Sequence, residues 1–286
     1  MEYSLVKDLE YSKEILHLSD EKFSKLLGIS RSTYNRWRNG SVFPEKPALE
    51  KVYSAIYSEG INLNRVYEDL YLSLEKGNSK LLLHGSKMGL KEEPSVAFSA
   101  AQKDFGKGFY TGESVNQAIS FVSGYKSAVL YYFLLENTSK IKTVNFDVSI
   151  DWMILVAYFR GKIDAYKNSS VLKKALKKIE NADLIIAPIA DNTMYSVINE
   201  FIEGSITDKQ CINCLSANRL GKQYVFLNDS VIRKNLKMLR KAYICEAEKK
   251  AYEKEKYEET SIGKTKVILA KRKYAGVGKY IEELLV

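Results

Sequence analysis

The apolar pattern of this chain changes character at Lys76-Gly77-Asn78-Ser79. Before that break the apolar residues recur at helical spacing. Ser19 or Asp20 can cap a helix that runs to Leu27 and ends at Gly28. Ser30 caps a second, over residues 31–39, ended by Gly40, and Pro44 and Pro47 mark the loop that follows. Residues 49–57 place Leu49, Val52, Tyr53 and Ile56 on one face, and residues 63–74 read as a fourth helix. After the break, short apolar runs at 81–83, 128–135, 143–146, 184–187 and 223–227 read as strands, interspersed with helices at 114–123, 171–181 and 194–203. A small all-α module therefore precedes an α+β domain. From residue 229 the chain is dense in Lys and Glu, so residues 231–257 read as one long charged helix with i,i+4 pairs. Residues 264–286, basic and then amphipathic, fit either packing back or binding a partner. The expected organisation is 1–76, 80–240 and a charged helical extension over 241–286.

Its 286 residues are long enough for two cores, and the hydrophobic share of 45% is ordinary for a globular chain. The formal charge of +9 favours a polyanionic partner. Three cysteines argue against a disulfide framework. Cys211 and Cys214 form a C-x-x-C, but zinc needs two further ligands and only Cys245, His17 and His84 remain, so no metal is expected. Early acidic residues (Glu2, Asp8, Glu10) break any signal-peptide pattern, and no apolar run approaches the roughly 20 residues of a membrane helix. The expectation is a cytoplasmic protein with no membrane partner.

Residues 18–40 (LSDEKFSKLLGISRSTYNRWRNG) resemble the helix-turn-helix of phage-repressor-like DNA-binding domains. Gly28 permits the tight turn, Ile29 plugs the core beneath it, and Ser30 caps the second helix. The resemblance points Arg31, Ser32, Thr33, Asn35 and Arg36 at DNA and turns Trp37 inward. The first 75 residues hold 10 basic and 12 acidic side chains, so they are not basic, and a docking or dimerisation role stays open beside DNA binding.

Three motifs carry chemistry. Leu81-Leu82-Leu83-His84-Gly85-Ser86 delivers a histidine at a strand end, next to a glycine that lets a ligand approach the backbone. Asp104-Phe105-Gly106-Lys107-Gly108-Phe109-Tyr110-Thr111 brings backbone close and follows it with aromatics. Lys222-Gln223-Tyr224-Val225-Phe226 opens a strand on a polar side chain. In this order they resemble the NAD site of the ADP-ribosyltransferase superfamily, in its diphtheria-toxin and poly(ADP-ribose) polymerase branch. Leu83-His84-Gly85-Ser86, Asp104-Phe105-Gly106-Lys107-Gly108-Phe109-Tyr110-Thr111, Gln117-Ala118 and Asp183-Leu184-Ile185-Ile186-Ala187-Pro188-Ile189-Ala190-Asp191 are similar, more closely still, to a bacterial subfamily of that fold.

The resemblance implies a split two-sheet domain that binds NAD through His84, Gly85, Ser86, Gly108, Phe109, Tyr110 and Thr111, with His84, Tyr110 and Gln223 as the catalytic set. His84 would bond the adenosine ribose, the Gly85 backbone the nicotinamide amide, and Tyr110 would stack on the nicotinamide ring. Asn218 and Arg219, in the segment 214–222, would read the target. The branch usually has Glu where this chain has Gln223, and Gln accepts a hydrogen bond but supplies neither charge nor a base. The target would then supply its own nucleophile, or Asp191, Asp104 or Glu113 would act as base, or the site would bind NAD without turnover. The implied function is ADP-ribosyl transfer to a protein or nucleic acid by a bacterial toxin or phage-defence effector, with a cognate antitoxin as a possible partner. The alternative is a DNA-binding regulator with a non-catalytic NAD-binding domain.

Overall fold

The computed structural model describes residues 3–190, 192–218 and 220–285. In chain order these form α1 (Leu5–Ile15), α2 (Asp20–Leu26), α3 (Arg31–Arg38), α4 (Lys46–Ser58), α5 (Leu63–Leu72), β1 (Lys80–Ser86), β2 (Phe109–Gly112), α6 (Val115–Ser120), β3 (Val129–Leu135) and β4 (Thr143–Asn145). There follow α7 (Ile150–Phe159), α8 (Ser170–Ile179), β5 (Leu184–Pro188), α9 (Asn192–Ile202), α10 (Asp208–Ser216), β6 (Lys222–Phe226), α11 (Asp229–Asn235), β7 (Leu236–Tyr243), α12 (Glu246–Lys273) and α13 (Ile281–Leu285). The chain is α+β and divides into two compact units.

The first unit holds α1–α5, β1, α6, β3, β7 and the start of α12. Its N-terminal helices form where the capping residues stand. Ser19 accepts from the Lys22 amide, and Ser30 accepts from the Thr33 amide at 3.1 Å. Gly28, at φ +64°, makes the turn that no side chain adopts easily, and its carbonyl accepts from Lys51 Nζ at 2.6 Å. Phe23, Leu27, Tyr34, Val52 and Ile56 share one core with Leu81 and Leu83 of β1 and with Leu130 and Tyr132 of β3. The expected boundary at 76–79 is thus a turn inside a compact unit, because the inward face of β1 completes the core of the helices. β1 pairs antiparallel with β3, His84 opposite Tyr131, and β7 borders β3.

β7 overturns part of the expected 231–257 helix. Arg240, Ala242 and Ile244 are buried at the spacing of two that a strand requires. Lys237, Arg240 and Lys241 made this segment look solvated. Arg240 is in fact 2% exposed and donates through Nη2 to both oxygens of Asp8, at 2.7 and 2.6 Å. Tyr53 donates to the same carboxylate at 2.5 Å, and the guanidinium lies 3.7 Å from the Tyr67 ring centroid.

The second unit holds β2, β4, β5, β6, α7–α11, α13 and the rest of α12. Its strands run in the order β4-β5-β6-β2, with β4 and β5 parallel and the other pairs antiparallel. α7 is buried on every side from Trp152 to Ala157, so it shows no amphipathic period. Val267 and Ala270 of α12, with Ile281 and Leu285 of α13, enter this core. Of the two readings open for residues 264–286, this part of the chain packs back into the second unit. No helix among the described residues is long and apolar enough to cross a membrane.

Candidate active site

The sharpest polar construction in the second unit surrounds Gln223. β6 pairs Gln223 with Gly112 of β2 on one side and Ala187 of β5 on the other, and its side chain is 6% exposed. Gln223 Nε2 donates to Asp104 Oδ2 at 2.8 Å and to the Pro188 carbonyl at 2.9 Å. Both amide hydrogens are thereby spent on acceptors, which fixes the amide plane and leaves Oε1 as the group Gln223 can present. Asp104 is held in turn. Its Oδ1 takes Arg160 Nε at 2.9 Å and Nη2 at 2.5 Å, and its Oδ2 also takes the Ala190 amide at 3.4 Å. Arg160 donates further to the Ala190 carbonyl at 3.0 Å and lies 3.9 Å from the Tyr195 ring centroid. The Tyr195 hydroxyl is buried and meets no hydrogen-bond partner among the described residues. This is a pre-oriented acceptor whose orientation is set by a neutralised carboxylate.

Arg160 and Tyr195 were not singled out from sequence. The one available signal for Arg160 was a lone cation directly after the apolar run of α7.

Tyr110 lies on β2, half-buried and packed against the core of the second unit, with Phe109 and Thr111 buried on the opposite face of the strand. Its hydroxyl donates to the Gly106 carbonyl at 2.8 Å and accepts from the Phe105 amide at 3.1 Å, tying down the glycine loop. Burial pushes that phenol well above its ordinary range, so it stays protonated. Lys103 Nζ stands 4.6 Å from the centroid of the Tyr110 ring. A Cβ on Gly108 would sit 2.6 Å from Val225 and 3.1 Å from the Phe226 carbonyl, so close packing against β6 alone requires glycine there.

His84, Gly85 and Ser86 end β1 in the first unit, all three half-buried. The His84 ring is 6.4 Å from that of Tyr131 and tilted to it. A Cβ on Gly85 would fall 2.3 Å from the Ala118 carbonyl of α6. Helix packing therefore accounts for Gly85 before any ligand does. Gly85→Ala should destabilise the fold by about 1–3 kcal/mol, as overpacking does, measurable by urea unfolding.

Other expected site residues find structural work. Phe109 is buried, and Thr111 is buried with its hydroxyl donating to the Tyr224 carbonyl at 3.2 Å. α10 extends to Ser216, and the Asn218 amide donates to the Gly263 carbonyl of α12 at 3.4 Å. Arg219 and Asp191 lie outside the described residues. Of the candidate bases, Glu113 accepts from the Tyr224 hydroxyl at 2.9 Å, whereas Asp104 touches Gln223. On α3, Arg31, Ser32 and Arg36 are exposed, Thr33 and Asn35 half-exposed, and Trp37 buried.

Among the described residues no cluster of His, Cys, Asp and Glu could hold a metal ion. The three cysteines are unpaired and buried, and burial raises the Cys214 and Cys245 thiols to about 11, where they are inert at neutral pH.

Residues 81–238 match the model of a family described as a protein of unknown function, DUF3990, and the chain belongs to that family. No curated protein and no solved structure matches the chain.

Proposed function

We propose that this member of the DUF3990 family is an NAD-dependent ADP-ribosyltransferase. One observation carries the reading. At the strand position where the resemblance puts the polar catalytic residue, Gln223 has both amide hydrogens committed, which leaves its carbonyl oxygen as the acceptor. That oxygen can receive the 2′-hydroxyl of the NAD ribose and orient it. The resemblance assigns the aromatic face for nicotinamide to Tyr110, the adenosine-ribose and amide contacts to His84 and the Gly85 backbone, and further cofactor contacts to Ser86 and Gly108.

Nicotinamide leaves C1′ as a neutral molecule, taking both electrons of the glycosidic bond. The target nucleophile then donates its lone pair to C1′ of the oxocarbenium-like ribose and loses its proton, if it has one. Gln223 and Asp104 place an acceptor dipole in that reaction without a free carboxylate at position 223. The target is a protein or nucleic acid, and the setting is a cytoplasmic toxin or phage-defence effector held by a cognate antitoxin. NAD is a substrate, and no metal takes part.

The test is transfer of label from adenylate-labelled NAD into cell extract. Wild type should label a macromolecule, and His84→Ala and Tyr110→Ala should each reduce labelling by about 100-fold. No labelling in any extract, with no heat of NAD binding in calorimetry, overturns the reading.

One observation favours a second reading, a DNA-binding regulator. α3 carries three arginines and no acid, with Arg31 and Arg36 exposed on it. Specific, salt-dependent operator binding that Arg31→Ala weakens, without NAD cleavage, would select it.

A further inference from the structure

The C-terminal half of α12 shows two unlike faces within the second unit. Its inward row is Gly263, Val267, Ala270 and Tyr274. Cys214 Sγ lies 3.7 Å from the Val267 carbonyl, and Gln210 Nε2 donates to the Lys271 carbonyl at 2.8 Å, so α10 and α12 are fastened side by side. Beside that seam runs a groove of about 310 Å³, with Ser216, Ala217 and Ala270 among the small residues lining it and Leu269, Lys273 and Tyr274 on its walls. The outward face leaves Ile262 and Leu269 each 60% exposed and Ile268 51% exposed.

Charge is one-signed here. Residues 260–281 hold six Lys or Arg and no Asp or Glu. Lys271 is paired with Glu200, while Lys264, Lys266, Arg272 and Lys273 are exposed. Ile262 and Leu269 stand seven residues apart, as do Lys266 and Lys273, and the two pairs interleave into one stripe along the helix.

We propose that this groove docks an amphipathic helix of another protein, one whose apolar seam is flanked by Asp and Glu. A small-floored groove along two helices receives the side chains of a third helix at i, i+3, i+4 and i+7. An apolar stripe edged by lysines selects acidic flanks through charge complementarity. A bilayer would use the projecting leucine and isoleucines but not the groove floor, and a nucleic acid would use the lysines but not the apolar stripe.

The experiment uses the full chain and fluorescein-labelled helical peptides of about three heptads, with a leucine seam flanked by Glu or by Lys. Anisotropy should show the Glu-flanked peptide binding about tenfold or more tighter than the Lys-flanked one at low salt. Leu269→Asp should weaken binding about tenfold or more. The double charge swap Lys266→Glu and Lys273→Glu should reverse the preference, and circular dichroism of each variant reports that it folds. Flotation with phosphatidylcholine–phosphatidylserine vesicles is the competing arm. Absent or charge-blind peptide binding, binding that survives Leu269→Asp, or vesicle binding abolished by these same variants overturns the proposal.

Discussion

Each unit is built around a buried aspartate clasped by an arginine whose guanidinium lies on a tyrosine ring. In the first unit Asp8 and Arg240 are 1% and 2% exposed through their side chains, and Tyr53 donates to the same carboxylate. In the second, Arg160 keeps 23% of its side chain exposed, and the far oxygen of Asp104 is given to Gln223. The parts are the same and the third partner differs. A tyrosine hydroxyl closes the first pair into a rivet between α1 and β7. A glutamine amide turns the second into a device that aims another side chain. A buried ion pair is therefore poor evidence for stability or for function until the group at its open edge is known.

That contrast breaks most visibly at Asp8. Asp8→Asn leaves the Arg240 charge buried without its counter-ion, and urea unfolding should show a loss of about 3–5 kcal/mol. Asp104→Asn should do the reverse. Labelling from NAD should fall about 100-fold because Gln223 loses its fixed orientation. Stability should drop by only about 1–2 kcal/mol, since Arg160 can turn to water. Equal stability losses in both variants would erase the distinction.

A third buried acid sharpens it. Glu248 has no ion pair among the described residues; it accepts from Asn64 Nδ2 at 3.1 and 2.9 Å. Burial raises its carboxyl to about 8, against an opposing pull from the Asn64 hydrogen bond and from Arg65. The folded chain therefore holds a proton that the unfolded chain releases near the ordinary 4.5. By linkage this stabilisation is fully present below about 4.5 and is lost as pH rises through about 8. Glu248→Gln should flatten that decline in a series of melting curves between pH 5 and pH 8, while Asp8 and Asp104 variants keep it.

The sequence showed most where local chemistry decides structure. Ser19, Ser30 and Gly28 stand where the caps and the turn form, and the strand carrying Gln223 falls within a residue of expectation. It misled where a distant partner decides. Arg240 reads as a solvated charge until Asp8, 232 positions away, is seen against it. α7 shows no period because every side of it is buried, and apolar runs of that length do not separate helix from strand. In the site, the residue types were legible but not their partners. Thr111 and Asn218 looked free for ligand or target because their hydrogen-bond partners lie in β6 and α12.

The amide clasp at Gln223 also constrains which sequences can build this site. Its nitrogen faces two acceptors, Asp104 Oδ2 and the Pro188 carbonyl. A carboxylate there would face both with a lone pair, and it would have to share one proton with Asp104. Positions 104 and 223 should therefore change together. A homologue with an acid at 223 should have a neutral residue at 104, and a lineage crossing from one pairing to the other should pass through a double change.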